Sequence, residues 1–194
     1  QYFNMFNEDA DTTEVVWRYD SVQGSGLGLN FTWNFTGQGP FVEMSTGLSN
    51  LFLPTDIRRQ VNLDPVSTPE EGLNIVGKYP INADTNAIND FKAMRVSEAY
   101  LVRAEAYART SQFGLAAADV FSVRSARDAT SSAPSYANLQ LALEDVLAER
   151  RLELAFEGHR YTDIKRMRSV LNTGINRDPA DCGGAAAPCT LAFN

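Results

Sequence analysis

Two tryptophans and their polar neighbours are the side chains best suited to hold a ligand. Trp17 and Tyr19 lie in an aromatic and acidic stretch near the start of the chain, and Trp33 is followed directly by Asn34. Aromatic faces can stack on the apolar faces of pyranose rings. Amide side chains both donate and accept hydrogen bonds, which suits vicinal hydroxyl groups. These four residues are therefore the candidates for a site that binds a neutral sugar.

The carboxylates do not suggest catalysis. Glycoside hydrolysis needs two carboxyl groups facing each other across a cleft, about 5–9 Å apart. Asp145, Glu149, Glu153 and Glu157 instead recur every fourth residue, which places them in one column along a helix, interleaved with arginines. The single histidine, His159, stands where a helix is expected to begin, so a capping or surface role is favoured over catalysis. We expect a binding protein that uses no metal or other cofactor, rather than an enzyme.

Length and charge indicate a single globular domain and argue against some classes of protein. The chain has 194 residues, of which 44% are hydrophobic, and this balance is typical of one globular domain. Its net charge of −7 argues against binding to nucleic acid, which requires a basic surface. The sequence contains no apolar run long enough to span a bilayer.

The segments that carry the candidate sugar-binding residues are expected to be extended. The alternation of Val15, Trp17 and Tyr19 predicts a short strand. Residues 27–36 alternate strictly between large apolar residues and Gly, Asn or Thr, which predicts an extended segment with one apolar and one polar face. Either the apolar face packs on the domain and the polar face is merely solvated, or a tryptophan and asparagines at the surface form a sugar site.

Helical spacing dominates the second half of the chain. The pattern predicts a helix pair over residues 91–129 with a turn near Ser111, then helices over 139–157 and 160–171. Apolar residues lie on two sides of the 139–157 helix, so neighbours should pack on both sides. Gly158 can adopt the left-handed conformation that ends this helix. We expect Glu153 and Glu157 to pair with arginines, Arg150 and Arg160 first.

The stretch from 149 to 166 carries a family resemblance. Glu149-Arg-Arg-x-Glu-Leu-Ala-Phe-Glu-Gly-x-Arg-x-x-Asp-x-Lys-Arg166 resembles the signature near the C-terminus of SusD/RagB proteins. The residues Arg95-x-x-Glu-x-Tyr-Leu-x-Arg-Ala-Glu-Ala-Tyr107 resemble the same family and also one tetratricopeptide unit. We interpret seven residues of the first motif as structural, namely Glu149, Arg150, Glu153, Glu157, Gly158, Arg160 and Asp163.

The resemblance implies a mainly α fold, with a SusD-like, tetratricopeptide-related helical core, long irregular wrapping segments and little β structure. We expect a wrapping segment with short strands over 1–90, the helical core over 91–171 and a tail over 172–194, all within one truncated domain. The family's N-terminal half and lipid-modified cysteine are not found in this sequence. We therefore expect the chain to be the C-terminal portion of a longer protein, either a segment chosen for expression or a gene fragment.

The resemblance also implies a function and a location. SusD-like proteins hold oligosaccharides, or in some members peptides, at the outer membrane of Bacteroidetes-type bacteria. They act without catalysis and deliver the nutrient to a SusC-like TonB-dependent transporter. Peptide capture by the same architecture and a tetratricopeptide-like scaffold for protein interactions are the alternatives.

The two cysteines are close in sequence. Cys182 and Cys189 lack a nearby histidine, so they do not complete a zinc site. In an exported protein, as the resemblance implies, a disulfide that closes this short loop is expected.

Overall fold

The protein is described by a computed structural model that covers residues 1–8, 11–22, 33, 42–68, 73–80, 89–176 and 190–191. In chain order the elements are α1 (Tyr2–Asn7), β1 (Val15–Tyr19), α2 (Thr46–Ser49), α3 (Ile57–Asn62), β2 (Phe91–Arg95), α4 (Val96–Arg109), α5 (Phe113–Arg127), α6 (Leu139–Glu153), α7 (Arg160–Leu171), β3 (Ile175–Asn176) and β4 (Thr190–Leu191). The mainly α fold with little β structure is confirmed. The chain divides into two compact units, Gln1–Arg95 and Val96–Asn194.

The first unit has short elements around a small apolar core. Tyr2, Met5 and Phe6 on α1 are buried against Val61 on α3. Asp56 begins α3, because its side chain accepts a hydrogen bond from the Arg58 backbone N–H at 2.8 Å. The sequence interpretation missed α1 and α3, since helices of one or two turns show too little periodicity to be recognised.

Strands β1 and β2 form a two-stranded antiparallel ribbon in the first unit. The predicted strand at Val15–Tyr19 is confirmed. The expectation that residues 91–95 begin the helix is wrong, because they pair with β1 as β2 and the helix starts at Val96. The pairing of residues 91–95 with β1 outweighs their local helical preference. Helical spacing in the sequence reports only that local preference.

Four helices form the second unit. One core cluster joins all of them and consists of Leu101, Ala104, Val120, Val123, Val146, Leu147 and Met167. The α4–α5 turn passes through Ser111, which has a φ of 61°. The small side chains of Ala104 and Ala116 are completely buried, which allows the helices to approach closely. As expected from its two apolar sides, α6 packs against several neighbours, α4, α5 and α7.

Helix α6 ends earlier than its sequence pattern suggests. The predicted helix over 139–157 is wrong at its end, because regular helix stops at Glu153 and residues 154–158 form turns. Phe156 has a φ of 64° and Gly158 a φ of 84°. Two left-handed residues so close together are incompatible with a continuous α-helix. The left-handed conformation predicted for Gly158 is confirmed.

Candidate functional site

Three aromatic rings form a row on the β1–β2 ribbon. The rings of Trp17 and Tyr19 are 4.7 Å apart between centroids and tilted by 49°. On the other strand, the ring of Phe91 lies 6.5 Å from that of Tyr19 in a stacked arrangement. We call Trp17, Tyr19 and Phe91 the aromatic row. The sequence pattern did not reveal Phe91, because only the strand pairing brings it next to Tyr19.

The aromatic row is open to solvent. Trp17 is 55% exposed and Tyr19 is 49% exposed, although both side chains are large and apolar. The pairing of β1 with β2 shifts register on either side of Trp17, which is the behaviour of a β-bulge. Bulges redirect side chains, and here Val16 and Trp17 are both exposed even though they are adjacent in the strand. Exposed rings held on a paired strand can stack against a flat apolar surface such as the face of a sugar ring.

Charged groups flank the aromatic row in sequence. The Arg18 Nε lies 2.9 Å from Asp20 Oδ1 and 3.2 Å from Asp90 Oδ2. Asp90 is buried, and its other oxygen accepts a hydrogen bond from the Ser21 backbone N–H at 2.9 Å. The side chain of Asp20 is 71% exposed, so its carboxylate is accessible to a ligand as a hydrogen-bond acceptor. This network ties the end of β1 to the residue that precedes β2.

The second tryptophan is placed differently from the first. Trp33 is half-buried and has helical backbone, so the extended conformation predicted for 27–36 is wrong at this position. Asn34 and the other residues of that segment lie outside the described residues, as do Cys182 and Cys189. Of the four predicted sugar-binding residues, the structure therefore brings together Trp17 and Tyr19.

The acidic column on α6 is neutralised by arginines of α5. Arg127 Nε and Nη2 donate to the two carboxylate oxygens of Glu153 at 3.1 and 3.0 Å. Arg124 donates to Glu149 at 2.8 Å and to Asp145 at 2.6 Å. Burial would lower the pKa of Arg124, but its hydrogen bonds to these carboxylates raise the pKa above the ordinary value. The column is therefore a helix–helix contact.

The predicted local pairing of these charges is wrong. Glu153 pairs with Arg127, while Arg150 donates to Asp163 at 2.8 Å. Arg160 forms no ion pair with any residue that the structure describes. The prediction considered partners three residues away along the sequence, whereas α5 and α7 supply partners from neighbouring helices. Glu149, Arg150, Glu153, Glu157 and Asp163 are all buried, which suits the structural role expected of the motif.

A charged cleft of about 480 Å³ lies between α4, α6 and α7. Its acidic side chains are already held by basic ones: Glu105 by Arg166 and Arg109, and Asp163 by Arg150 and Arg166. The lone histidine, His159, has its Nδ1 3.4 Å from Glu98 Oε1. A carboxylate that accepts hydrogen bonds from a guanidinium has fewer free lone pairs to offer a ligand. The cleft is therefore a weaker candidate site than the aromatic row.

Two features of the described residues bear on the class of protein. Within them, no cluster of three or more His, Cys, Asp or Glu side chains is placed to hold a metal ion. None of the helices in the described ranges has the length and apolar character needed to cross a membrane.

The fold and the site define a mainly helical protein that carries an exposed aromatic row on a two-stranded ribbon. The chain belongs to the SusD family, whose sequence model matches residues 76–184, more than half of the chain. The resemblance seen in the sequence is thereby confirmed. No curated protein matches the sequence.

Solved structures show the same fold. A surface glycan-binding protein A from Bacteroides uniformis aligns with a TM-score of 0.68 and 20% identity, over 88% of this chain and 41% of its own. A SusD superfamily protein from Bacteroides thetaiotaomicron gives 0.68 and 22%, over 85% and 40%. A SusD-like carbohydrate binding protein from Bacteroides vulgatus gives 0.65 and 23%, over 85% and 36%. The chain thus spans about two-fifths of the length of these relatives.

Proposed function

We propose that this chain binds a neutral oligosaccharide at the cell surface through the aromatic row, without catalysis. The exposure of Trp17 and Tyr19 side by side carries the proposal, because contiguous exposed apolar groups mark binding surfaces, whereas single exposed rings do not. Two of the similar structures are described as a glycan-binding and a carbohydrate-binding protein, which supports the same ligand class.

Sugar binding to the aromatic row would combine apolar stacking with neutral hydrogen bonds. The Trp17 ring and the Tyr19 ring provide adjacent faces, and the tyrosine hydroxyl can both donate and accept. The exposed Asp20 carboxylate offers an acceptor for a sugar hydroxyl. The net charge of −7 disfavours anionic ligands at long range, so neutral glycans suit this surface better.

Tryptophan fluorescence tests the proposal, once the signal is assigned to one ring. Trp33→Phe leaves Trp17 as the single tryptophan of the chain. Titration of this variant with neutral oligosaccharides should give a saturable change in emission. Calorimetric titration should show that Trp17→Ala in the native background weakens binding by about tenfold or more, which corresponds to about 1.4 kcal/mol.

The matched control is Val16→Ala on the same strand. Val16 is 56% exposed, about as much as Trp17, but it has no ring to stack on a sugar. This variant should bind as the native chain does. If Trp17→Ala and Tyr19→Ala also bind as the native chain does, the aromatic row is not the sugar site. Binding of peptides in place of oligosaccharides at the same rings would favour the peptide-capture alternative.

We further propose that the bound glycan is delivered to a SusC-like TonB-dependent transporter at the outer membrane. Family membership supports this partner. Co-purification of the chain with such a transporter from outer membranes is the expected result.

A test for hydrolysis separates a binding protein from an enzyme. Chromatography should show that the oligosaccharide is unchanged after prolonged incubation with the chain. Released products would contradict binding without catalysis.

A further inference from the structure

Met94 lies opposite Trp17 on the β1–β2 ribbon. The two residues are partners in the antiparallel register, and so are Tyr19 and Phe91. Side chains of directly opposite residues project from the same face of a ribbon, with their Cβ atoms about 4.5–5.5 Å apart. The two pairs therefore form neighbouring levels on one face, Trp17 with Met94 and Tyr19 with Phe91.

Two irregularities in the ribbon produce this arrangement. The pairing skips Val16 on β1 and Ala93 on β2. Each skipped residue is the extra residue of a β-bulge, and a bulge redirects the side chains beside it. Met94 and Phe91 are three residues apart and would point to opposite faces of a regular strand. Because Ala93 is skipped, both of them face the side of the ribbon that carries the aromatic row.

The burial of the neighbouring residues supports the outward orientation of Met94. Lys92 and Arg95 are buried. The guanidinium carbon of Arg95 lies over the rings of Tyr2 and Phe6, 5.9 and 5.4 Å from their centroids. Met94, in contrast, is 42% exposed. Successive side chains of a strand point to opposite faces, so the inward position of Arg95 places Met94 on the outer face.

Met94 differs from the other methionines of the chain. Met5, Met44 and Met167 are buried in apolar surroundings. A single exposed apolar side chain needs no explanation, but Met94 continues the apolar surface of Trp17 across to the second strand, and contiguous surfaces of this kind mark binding sites. The unbranched thioether side chain is flexible and polarizable, so it can adjust to the shape of a bound molecule.

We propose that Met94 is a ligand-contacting residue and that the bound glycan lies across the ribbon, from β1 to β2. This inference rests on the proposed function of the aromatic row. A sugar ring stacked on Trp17 would have the Met94 side chain beside it, because the two residues are opposite each other on the exposed face. Met94 then contacts the apolar C–H groups of the sugar and removes them from water. The site thereby uses side chains of both strands.

Nuclear magnetic resonance of the methionine methyl groups tests this contact in the whole chain. The chain has four methionines, and loss of one signal in Met94→Leu identifies the Met94 methyl group. The probes are maltohexaose, cellohexaose and xylohexaose. Each oligosaccharide that changes the Trp17 emission of the Trp33→Phe chain should also shift the Met94 signal, with the same dissociation constant. The signals of the three buried methionines should stay unchanged and serve as internal controls.

Calorimetric titration of variants measures how much Met94 contributes to affinity. Met94→Gln keeps the length of the side chain but makes its end polar, so binding should weaken about threefold to tenfold. Met94→Leu stays apolar and should lose less affinity than the glutamine variant. The matched control is Val66→Ala, at an exposed valine of the first unit outside the ribbon, which should bind as the native chain does. The melting temperature of each variant separates a lost contact from a lost fold.

The outcomes distinguish this inference from the proposed function. A saturable change in Trp17 emission without a Met94 shift, or with native affinity in Met94→Gln, overturns the role of Met94 and leaves the aromatic row as the sugar site. No change at either probe with all three oligosaccharides overturns both. A Met94 shift that follows protein concentration instead of sugar concentration assigns this face to contact between two copies of the chain and also overturns the inference.

Discussion

Replacing Arg127 with methionine should destabilise the second unit strongly. The Arg127 and Glu153 side chains are 5% and 0% exposed and share two hydrogen bonds of 3.0 and 3.1 Å. Methionine retains much of the aliphatic length of arginine, so the substitution removes mainly the charge and the donors. Glu153 would then stay in the core and lose its two hydrogen bonds from Arg127.

The expected loss is about 3–5 kcal/mol in the free energy of unfolding, the cost of removing one partner from a buried ion pair. The matched control is Arg109→Met, which removes a more exposed arginine paired with Glu105 one turn away on α4. Arg109 is half-exposed and Glu105 keeps Arg166 as a second partner, so Arg109→Met should cost clearly less, about 1 kcal/mol or below. The two substitutions are chemically identical, so the difference reflects the burial of Arg127 and the second partner of Glu105.

Urea unfolding followed by far-ultraviolet circular dichroism measures the effect, since α4–α7 provide most of the helical signal. The double variant Arg127→Met with Glu153→Leu should recover much of the loss, because an apolar pair can replace a buried ion pair at little cost. A double-mutant cycle then gives the coupling between the two side chains. An Arg127→Met variant within about 1 kcal/mol of the native chain would refute the reasoning.

Three further predictions concern individual residues. Burial raises the pKa of Glu105, but hydrogen bonds from two arginines lower it below the ordinary 4.5. Glu105→Gln should therefore be less stable than the native chain at pH 7. Urea unfolding should show this difference shrink as the pH falls below 4.5 and through the lowered pKa of Glu105, because the carboxylate is then protonated. Gly158→Ala should lower the melting temperature, because a φ of +84° is unfavourable for a residue with a Cβ atom. Gly114→Ala should raise the melting temperature, because this glycine is in a helix with open space around the added methyl group. A change of the same sign in both variants would contradict this reasoning. We propose that Cys182 and Cys189 form a disulfide, so thiol titration of secreted, denatured protein should find no free thiol, and two free thiols would contradict the pairing.

Much of the helical fold could be predicted from sequence because its signals are local. The four long helices and the left-handed Gly158 follow from spacing and residue type within a few positions. The strand at Val15–Tyr19 was predicted for the same reason. The early end of α6 was not, because the turn residue Phe156 is a bulky residue in a left-handed conformation that its type disfavours.

The candidate site could be predicted only in part. The exposed pair Trp17 and Tyr19 was identified from residue chemistry, but Phe91 joins them through pairing between distant segments. The partners of the α6 carboxylates were also misassigned, since Arg124 and Arg127 reach them from a neighbouring helix. Contacts of this kind depend on how helices and strands are brought together, which a local pattern does not encode.

The pairing of β1 with β2 has a consequence for folding. Tyr19 and Phe91 are far apart in the chain, so the aromatic row exists only after a long loop has closed. Closing such a loop costs entropy before any contact compensates for it. A ligand that binds only the completed row would favour the closed state by mass action. Sugar binding would thus be coupled to the folding of the whole first unit, and an increase in its protection against amide hydrogen exchange would accompany occupancy of the three rings.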